Sequence, residues 1–350
     1  TLLASSAASD VYKRQVMGVF FSIIIPVYNG EQYIKNCLDG IYRQGLGDDV
    51  FEVICVNDCS TDNTAQVISE YGKFHQNLRL INHETNRRQG GARNTAVKVA
   101  KGKYILYLDQ DDVFESGALK KVFSEIQSTE GVDILMCDEV LVEDGKRRTY
   151  FYLNNSREEM AGRSFLKKNE IPWAPWLFVY RRDFLIINHL SFAEKVRFED
   201  TDYIINNVRL ALRIKYVPIL LYNHTVSRYQ TSRIESDKNK ITDLFKMCNR
   251  IKCLAIEEAG IDAETAQIIA GHHLFMYRAN ILRYWWRLSY KDRKELLVTY
   301  QPMLPCKDKL VSFIGRYPQL FLMASTVVKP LLPGLRYVYL KIKDRKSSLL

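Results

Sequence analysis

Three carboxylates, Asp109, Asp111 and Asp112, end an apolar run at residues 104–108. The run predicts a buried strand, and open α/β sheets bind ligands at the carboxyl ends of their strands. Acids this close together repel one another unless a cation lies between them, and their oxygen atoms suit Mg²⁺ or Mn²⁺, which also bind phosphates. The alternative is a turn in which Asp112 or Ser116 caps the next helix. The acids alone leave both interpretations open.

Three further polar clusters precede these acids, at residues 26–30, 57–62 and 90–94. The ring of Tyr28 in the first can stack on a base, and Asp58 in the second can accept a hydrogen bond from a base N–H. In the third, paired glycines allow close approach, and Arg93 near a helix N-terminus favours an anion. Each residue alone also suits a packing, turn or capping role. Taken in order with the acids, the clusters describe a site for a nucleoside diphosphate and its cation.

The apolar pattern predicts elements that bring these clusters together. Apolar β-runs alternate with stretches of helical spacing, and they lie at residues 20–27, 51–56, 78–81, 104–108 and 134–137. This alternation predicts βαβ units, and therefore an α/β fold with a Rossmann-like, mostly parallel sheet flanked by helices. Because parallel strands end at a common edge, the clusters would meet there.

The alternation changes after residue 138. A hairpin turn is predicted at residues 143–146, and helices are predicted over 157–168 and 200–212. From about residue 241 the periodicity is helical to the end of the sequence, interrupted by Pro302, Pro305, Pro318, Pro330 and Pro333. The sequence therefore predicts a helical C-terminal extension.

The predicted organisation has three parts. Residues 1–18 are expected to be a non-native or disordered leader, because Lys13 and Arg14 follow its weak apolar start, the wrong order for a secretory signal. The α/β domain is placed at 19–240 and the extension at 241–350. No stretch reaches the ~18 to 20 uninterrupted apolar residues of a membrane-spanning helix.

The four clusters resemble successive motifs of family 2 glycosyltransferases with the GT-A fold. The matching segments are residues 22–30, 56–64, 91–94 and 108–112, and the similarity covers roughly residues 20–228. The resemblance implies transfer of a sugar from a nucleotide-sugar, usually with inversion at the anomeric carbon. One departure is Asn57, since the family commonly has paired aspartates at this place in the second motif.

The resemblance also assigns roles to individual residues. Asp111, assisted by Asp109, is expected to hold a divalent cation, Mn²⁺ or Mg²⁺, on the diphosphate. Asp112 is expected only to support the turn. The expected nucleotide-binding residues are Pro26, Tyr28, Asp58, Arg93 and Asp109.

An inverting transfer needs a general base for the acceptor hydroxyl. Residues 198–203 resemble the family's Glu-Asp motif at the start of an acceptor-side helix, which implies that Asp200 is the base and Glu199 a supporting acid. The alternative is an acidic first turn that complements the helix dipole. The upstream motifs favour the catalytic interpretation.

Four more residues are candidates for contacts with the donor or acceptor sugar. Trp173 and Trp176 lie in a segment similar to the one that precedes the base motif in relatives, and aromatic faces pack against sugars. His224 would reach the diphosphate or the metal, and Arg228 would pair with a phosphate. Core packing for Trp176 and a structural role for His224 stay open as alternatives.

The formal net charge of +10 is concentrated towards the C-terminus. Aromatic and basic residues interleave at 284–287, 313–317 and 335–339, and a basic stretch follows at 341–346. This composition suits peripheral attachment to an anionic membrane face that carries a lipid-linked acceptor. Packing on the catalytic domain, or on a second subunit in a homodimer, is the alternative. No nucleic-acid partner is expected, because no recognised nucleic-acid module accompanies these residues.

Seven cysteines form no CxxC pair, which predicts reduced thiols, no zinc site and a cytoplasmic protein, peripheral on the membrane if it binds there. The expected activity is that of an inverting hexosyl- or N-acetylhexosaminyl-transferase in bacterial cell-surface polysaccharide synthesis, with a UDP-linked donor and a glycan or lipid-linked acceptor. A nucleotidyltransferase is the first alternative, although residues 27–31 lack the glycine-rich, lysine-bearing loop that it needs. A catalytically silent nucleotide-sugar binding module is the second.

Overall fold

A computed structural model of the chain describes residues 18–129, 131–143, 145–153, 158–226, 237–272 and 288–300. The chain divides into two compact units. The first contains the described part of residues 1–230 together with Asp262–Ile268, and the second contains the described part of the remainder. The candidate site described below lies in the first unit.

The first unit is built on one mixed sheet. Its strands are β1 (Phe21–Val27), β2 (Phe51–Asn57), β3 (Leu78–Asn82), β4 (Tyr104–Tyr107), β5 (Val113–Phe114), β6 (Ile134–Glu143), β7 (Lys146–Tyr150), β8 (Glu159–Met160), β9 (Phe178–Arg181) and β10 (Ile214–Val226). The strand order is β3-β2-β1-β4-β9-β6-β10-β5, with β7 paired to β6 and β8 to β10. The strands from β3 to β4 in this order are parallel, β9 is antiparallel to both its neighbours, and β6 and β10 are parallel.

Helices lie between the strands and follow the last of them. They are α1 (Ile34–Tyr42), α2 (Thr64–Gly72), α3 (Arg88–Val99), α4 (Ala118–Ser128), α5 (Gly162–Lys168), α6 (Arg182–Ile187), α7 (Glu199–Leu210), α8 (Asp237–Ala259), α9 (263–272) and α10 (Tyr290–Tyr300). Helix α1 shows why they form: the buried residues Ile34, Cys37, Leu38 and Ile41 recur every three or four positions and cover the sheet.

The core lies around the central parallel strands. All seven residues of β1 and all seven of β2 are buried, which explains their nearly continuous apolar sequence. Two polar side chains within these strands, Ser22 and Glu52, bond to each other, since the hydroxyl of Ser22 donates to the carboxylate of Glu52 at 2.6 Å. This packing holds the ends of β1, β2 and β4 at one edge of the sheet.

The structure confirms the predicted α/β class and the hairpin between β6 and β7, and it corrects several details. Helix α3 begins at Arg88, two residues before the predicted glycine pair. Gly117, with φ 67°, precedes α4, so neither Asp112 nor Ser116 caps it. The helix predicted over 200–212 ends at Leu210, and β10, which was not predicted, follows it.

The second unit is helical where it is described. Within it, Lys238 on α8 forms ion pairs with Asp292 at 3.1 Å and Glu295 at 3.0 Å on α10. No helix among the described residues is both long and apolar enough to cross a membrane. The aromatic and basic segments at 284–287, 313–317, 335–339 and 341–346 lie outside the described residues, as does the predicted leader up to residue 17. The predicted boundaries at 18/19 and 240/241 remain predictions.

Candidate active site

The acidic segment forms a turn where β4 ends. The amide of Asp112 donates to the carbonyl of Asp109 at 3.1 Å, which closes the turn. The side chain of Asp112 points into the protein, where it accepts hydrogen bonds from the hydroxyl of Tyr222 at 2.8 Å and the amide of Thr225 at 2.7 Å. Asp112 therefore ties the turn to β10, as expected of a residue that supports it.

Asp111 has the environment expected of a cation ligand. Burial raises its pKa, the nearby Asp109 raises it further, and His224 acts in the opposite direction. A carboxylate placed this way gains from a cation, because a cation offsets both desolvation and repulsion.

The described residues contain no group of three or more His, Cys, Asp or Glu side chains arranged to hold a metal. A bound Mg²⁺ usually keeps several waters and takes only one or two carboxylates together with phosphates. Asp111 and Asp109 therefore fit a cation that arrives with a diphosphate.

Arg93 joins the acidic turn to the predicted base. Its side chain on α3 is fully buried, Nη2 donates to Oδ1 of Asp109 at 2.9 Å, and Nη1 donates to Oδ1 of Asp200 at 2.7 Å. Nη1 also lies 3.6 Å from Oε1 of Glu199. Burial disfavours the charged guanidinium, but the three carboxylates outweigh it and raise the pKa of Arg93. The buried guanidinium of Arg93 thus connects three carboxylates, those of Asp109, Glu199 and Asp200.

The two acids of the Glu-Asp motif differ in access. They open α7, after Phe198 in a left-handed conformation with φ 63°. The side chain of Glu199 is 6% exposed and that of Asp200 is 23% exposed. Burial raises the pKa of both carboxyls. Asp200 is therefore the more accessible of the two acids.

The end of β1 places Tyr28 beside the acidic turn. Its amide donates to Oε1 of Gln110 at 2.9 Å and its carbonyl accepts from Nε2 of the same side chain at 3.0 Å. The residue is 39% exposed, so its ring is open to a ligand. Pro26 lies deeper, buried in β1 opposite Val56.

Asp58 follows β2 and is buried. Its Oδ1 lies 2.7 Å from Nδ1 of His83 and accepts the amide of Arg87 at 2.8 Å. Nε2 of His83 lies 2.9 Å from the hydroxyl of Thr95 on α3. Asp58 is thus held at the start of α3, and its predicted contact with a base remains a prediction.

Trp176 and His224 lie together near Tyr222, whose hydroxyl bonds to Asp112 of the acidic turn. The Trp176 ring stacks on Tyr222 with centroids 5.4 Å apart, and the His224 ring meets it edge-on at 5.6 Å. The indole nitrogen of Trp176 donates to Glu139 at 3.3 Å. Trp173 is partly exposed in the preceding loop. Arg228 lies outside the described residues.

Several residues of this site were not predicted from the sequence: His83, Asn94, Glu139, Glu194 and Tyr222. Asn94 is the one that a motif could have indicated, since it ends the third cluster. Its amide group bonds to both the N–H and the C=O of Phe192, each at 2.9 Å, and to Glu194 at 3.1 Å. The other four lie away from the clusters and come close only in the fold.

The chain is similar to known glycosyltransferases in sequence and in fold. Residues 22–186 match the model of the family described as Glycosyl transferase family 2. An uncharacterized glycosyltransferase of Bacillus subtilis (strain 168), EpsJ, is 32% identical over 214 residues, which cover 57% of this chain and 59% of EpsJ. A poly(ribitol-phosphate) beta-glucosyltransferase of Bacillus spizizenii is 42% identical over 104 residues, covering 29% of this chain and 16% of that enzyme. The chain thus spans under two thirds of the length of both relatives.

Solved structures show the same fold. TarS 1–349 of Staphylococcus aureus in complex with UDP-GlcNAc has a TM-score of 0.66 at 22% identity and covers 90% of this chain and 92% of its own. Mannosyltransferase PcManGT of Pyrobaculum calidifontis in complex with GDP-Man and Mn²⁺ has a TM-score of 0.54 at 18% identity, with coverages of 90% and 88%. The resemblance seen in the four motifs is confirmed. Over residues 22–186, a little under half of its length, the chain is similar to glycosyl transferase family 2, and its fold is the GT-A fold.

Proposed function

We propose that this protein is an inverting, metal-dependent glycosyltransferase that moves a sugar from a UDP-linked donor to a hydroxyl of a glycan or lipid-linked acceptor. The observation that carries the proposal is the ion cluster around Arg93, in which the acidic turn and Asp200 share one buried guanidinium. The proposed cation site and the proposed general base thereby lie close together, which supports an inverting transfer.

Asp200 is the proposed base. One carboxylate oxygen, Oδ1, accepts the hydrogen bond from Arg93, and the side chain stays partly exposed. The other oxygen takes the proton of the acceptor hydroxyl while the hydroxyl oxygen forms a bond to C1 of the sugar. The bond from C1 to the diphosphate oxygen breaks, and its electron pair leaves with the diphosphate. Glu199 supports Asp200 from the same helix turn.

Asp111 and Asp109 are the residues that would hold a divalent cation, which supplies positive charge to the departing diphosphate. The raised pKa of Asp111, caused by its burial and by the nearby Asp109, supports this assignment. The nucleoside is assigned to Tyr28, Pro26 and Asp58, of which Tyr28 has the open ring. The predicted contact of Arg93 with the nucleotide is less well supported, because its side chain has no exposed surface.

The donor and acceptor classes rest on relatives. TarS is a poly(ribitol-phosphate) beta-N-acetylglucosaminyltransferase, and its structure was solved with UDP-GlcNAc. We therefore propose UDP as the nucleotide and a cell-surface polymer or its lipid-linked precursor as the acceptor. A cytoplasmic location, peripheral membrane contact and a homodimer remain proposals from sequence alone.

The test is turnover of nucleotide-sugars by the purified chain. We expect UDP release from UDP-GlcNAc or another UDP-sugar in the presence of Mn²⁺, and loss of that release with EDTA. Asp111→Ala should lower the rate at least about 100-fold, in line with the several kcal/mol that a catalytic cation supplies.

Asp48→Ala is the matched control, because Asp48 is an exposed aspartate in the loop before β2. It should keep the wild-type rate. Metal-independent binding of UDP-sugars without turnover would instead identify a silent binding module. Release of pyrophosphate from a nucleoside triphosphate and a sugar phosphate would identify a nucleotidyltransferase.

A further inference from the structure

The side chain of Arg93 is buried, although an arginine that binds a ligand must expose its guanidinium to that ligand. Its side chain has no exposed surface. The guanidinium carbon lies 5.1 Å from the centre of the Phe192 ring and 5.7 Å from that of Tyr107. Both terminal nitrogens donate to carboxylates of the protein, so a ligand would have to displace these contacts to reach the charge.

The enclosure of Arg93 is itself fixed by neighbours on α3. Asn94 holds the backbone of Phe192 through two hydrogen bonds. Arg87 holds Glu194, two residues further on, through an ion pair of 2.6 Å. Phe192 also stacks on Tyr203 of α7, with ring centroids 3.6 Å apart. The aromatic cover of Arg93 is therefore built into the packing of α3 against α7.

We propose that Arg93 is a positioning residue that fixes the base Asp200 relative to the cation-site residue Asp109 and does not bind the nucleotide. This inference rests on the proposed function. The planar guanidinium spans the two carboxylates through different nitrogens, with 2.7 Å and 2.9 Å bonds. It holds one oxygen of each, and among the described residues no hydrogen bond engages the second oxygen of either, which we assign to the acceptor proton or the cation.

The geometry has an electrostatic consequence for Asp200. Among the described residues, Arg93 on α3 is a cation that faces it, and Asp109 on the turn, Glu199 and Asp202 on α7, and Tyr180 on β9 are titratable groups that interact with it. Arg93 lowers the pKa of Asp200, and Asp109 and Asp202 raise it. Loss of a well-placed guanidinium should therefore make Asp200 harder to deprotonate.

Arg93→Lys tests the role, because lysine keeps the charge but lacks the planar fork that reaches two carboxylates. We expect kcat to fall about 10- to 100-fold and the acid limb of the kcat profile to move to higher pH. The Kd for UDP with Mn²⁺, measured by calorimetry, should stay within about 3-fold of wild type.

Arg181→Lys is the matched control. Arg181 ends β9, away from the site, and pairs there with buried Asp133. Both its kcat profile and its UDP affinity should match wild type.

A weakened UDP affinity with an unchanged kcat and acid limb would assign Arg93 to the nucleotide and overturn the proposal. Unchanged kinetics and affinity would overturn it too.

If the lysine variant does not fold, a crystal structure of the wild type with UDP and Mn²⁺ provides the test. Both Arg93 contacts should persist in that structure, and no nucleotide atom should lie within hydrogen-bond distance of the guanidinium. A nucleotide oxygen bonded to Arg93 would overturn the inference alone, whereas a wild type without turnover would overturn the proposed function as well.

Discussion

Glu199 and Asp200 share one buried cation with Asp109, so acid exceeds base around Arg93. A bound proton relieves such an excess when no metal is present. Desolvation opposes ionisation most strongly at the less exposed carboxyl, which is that of Glu199. Burial raises the pKa of Glu199, and the nearby Asp200 raises it further. We therefore expect the proton to reside on Glu199, which leaves Asp200 to ionise and serve as the proposed base.

The pH dependence of turnover should report this arrangement. Burial raises the pKa of Asp200, and the base must be ionised to accept a proton, so activity should rise with pH through that pKa. We expect the acid limb of kcat/KM for the UDP-sugar to lie above about 3.9, the ordinary value for aspartate. Rates measured between pH 4 and 9 check this.

Asp200→Asn should remove this limb and lower kcat about 10²- to 10⁴-fold, the usual contribution of a general base. A wild-type rate that is flat down to pH 4 would exclude Asp200 as the base.

The sequence could indicate which residues belong to the candidate site, but it could not show what surrounds them. Asp111 and Asp200 could be selected because each belongs to a motif that ends a strand or begins a helix. The burial of Arg93 could not be seen, because the ring that covers it, Phe192, lies about a hundred positions away in an unrelated segment. Contacts of this kind depend on the packing of a distant loop against α3, and no local pattern encodes them.

Helix α7 is the element that carries the base, and its position depends on close backbone contact with α5. A Cβ added at Gly162, the first residue of α5, would lie 1.6 Å from the carbonyl oxygen of Val208 on α7. The amide of Gly162 also donates to the carbonyl of Ala211 at 2.9 Å. The glycine is thus required by proximity, and it fixes how near α5 comes to the helix of the base.

Gly162→Ala should therefore force α5 and α7 apart. We expect the free energy of unfolding to fall by about 3 kcal/mol, the upper end of the usual cost of overpacking, and kcat to fall with it because Asp200 moves. Urea unfolding followed by circular dichroism measures the first effect. Gly271→Ala on α9 is the matched control, since a Cβ there meets no atom of the described residues within 4 Å. It should be neutral or stabilise by up to about 1 kcal/mol, and an equal loss in both variants would contradict the argument.

The central strands and the hairpin of β6 and β7 could be predicted, whereas β10 could not. Strands β1, β2 and β4 are buried on both faces, so they appear in the sequence as apolar runs. Strand β10 was missed because Pro218 interrupts it and its pairing with β6 shifts register between Tyr216 and Tyr222. Such an irregular strand lacks both the alternation and the continuity by which strands are recognised.

In the molecule as a whole, the site depends on residues spread along most of the first unit. Tyr28, Asp58, Asp111 and Asp200 come from four separate segments, and each follows a strand or begins a helix packed on the sheet. No short segment can form the site alone. A ligand that contacts these segments together binds the folded unit and not the unfolded chain, so donor binding and folding are linked.

Thermal unfolding should therefore detect the donor without any knowledge of the acceptor. A nucleotide at about 100 times its Kd adds about 2.7 kcal/mol to the free energy of unfolding, which corresponds to a rise in Tm of roughly 5–10 °C for a unit of this size. We expect this rise with UDP or a UDP-sugar plus Mn²⁺, and a smaller one with EDTA. Asp111→Ala should lose most of the metal-dependent part, whereas Asp48→Ala should retain it. An equal rise in Asp111→Ala and wild type, in the presence of Mn²⁺, would mean that the nucleotide binds without the acidic turn, and the cation site would have to be sought elsewhere.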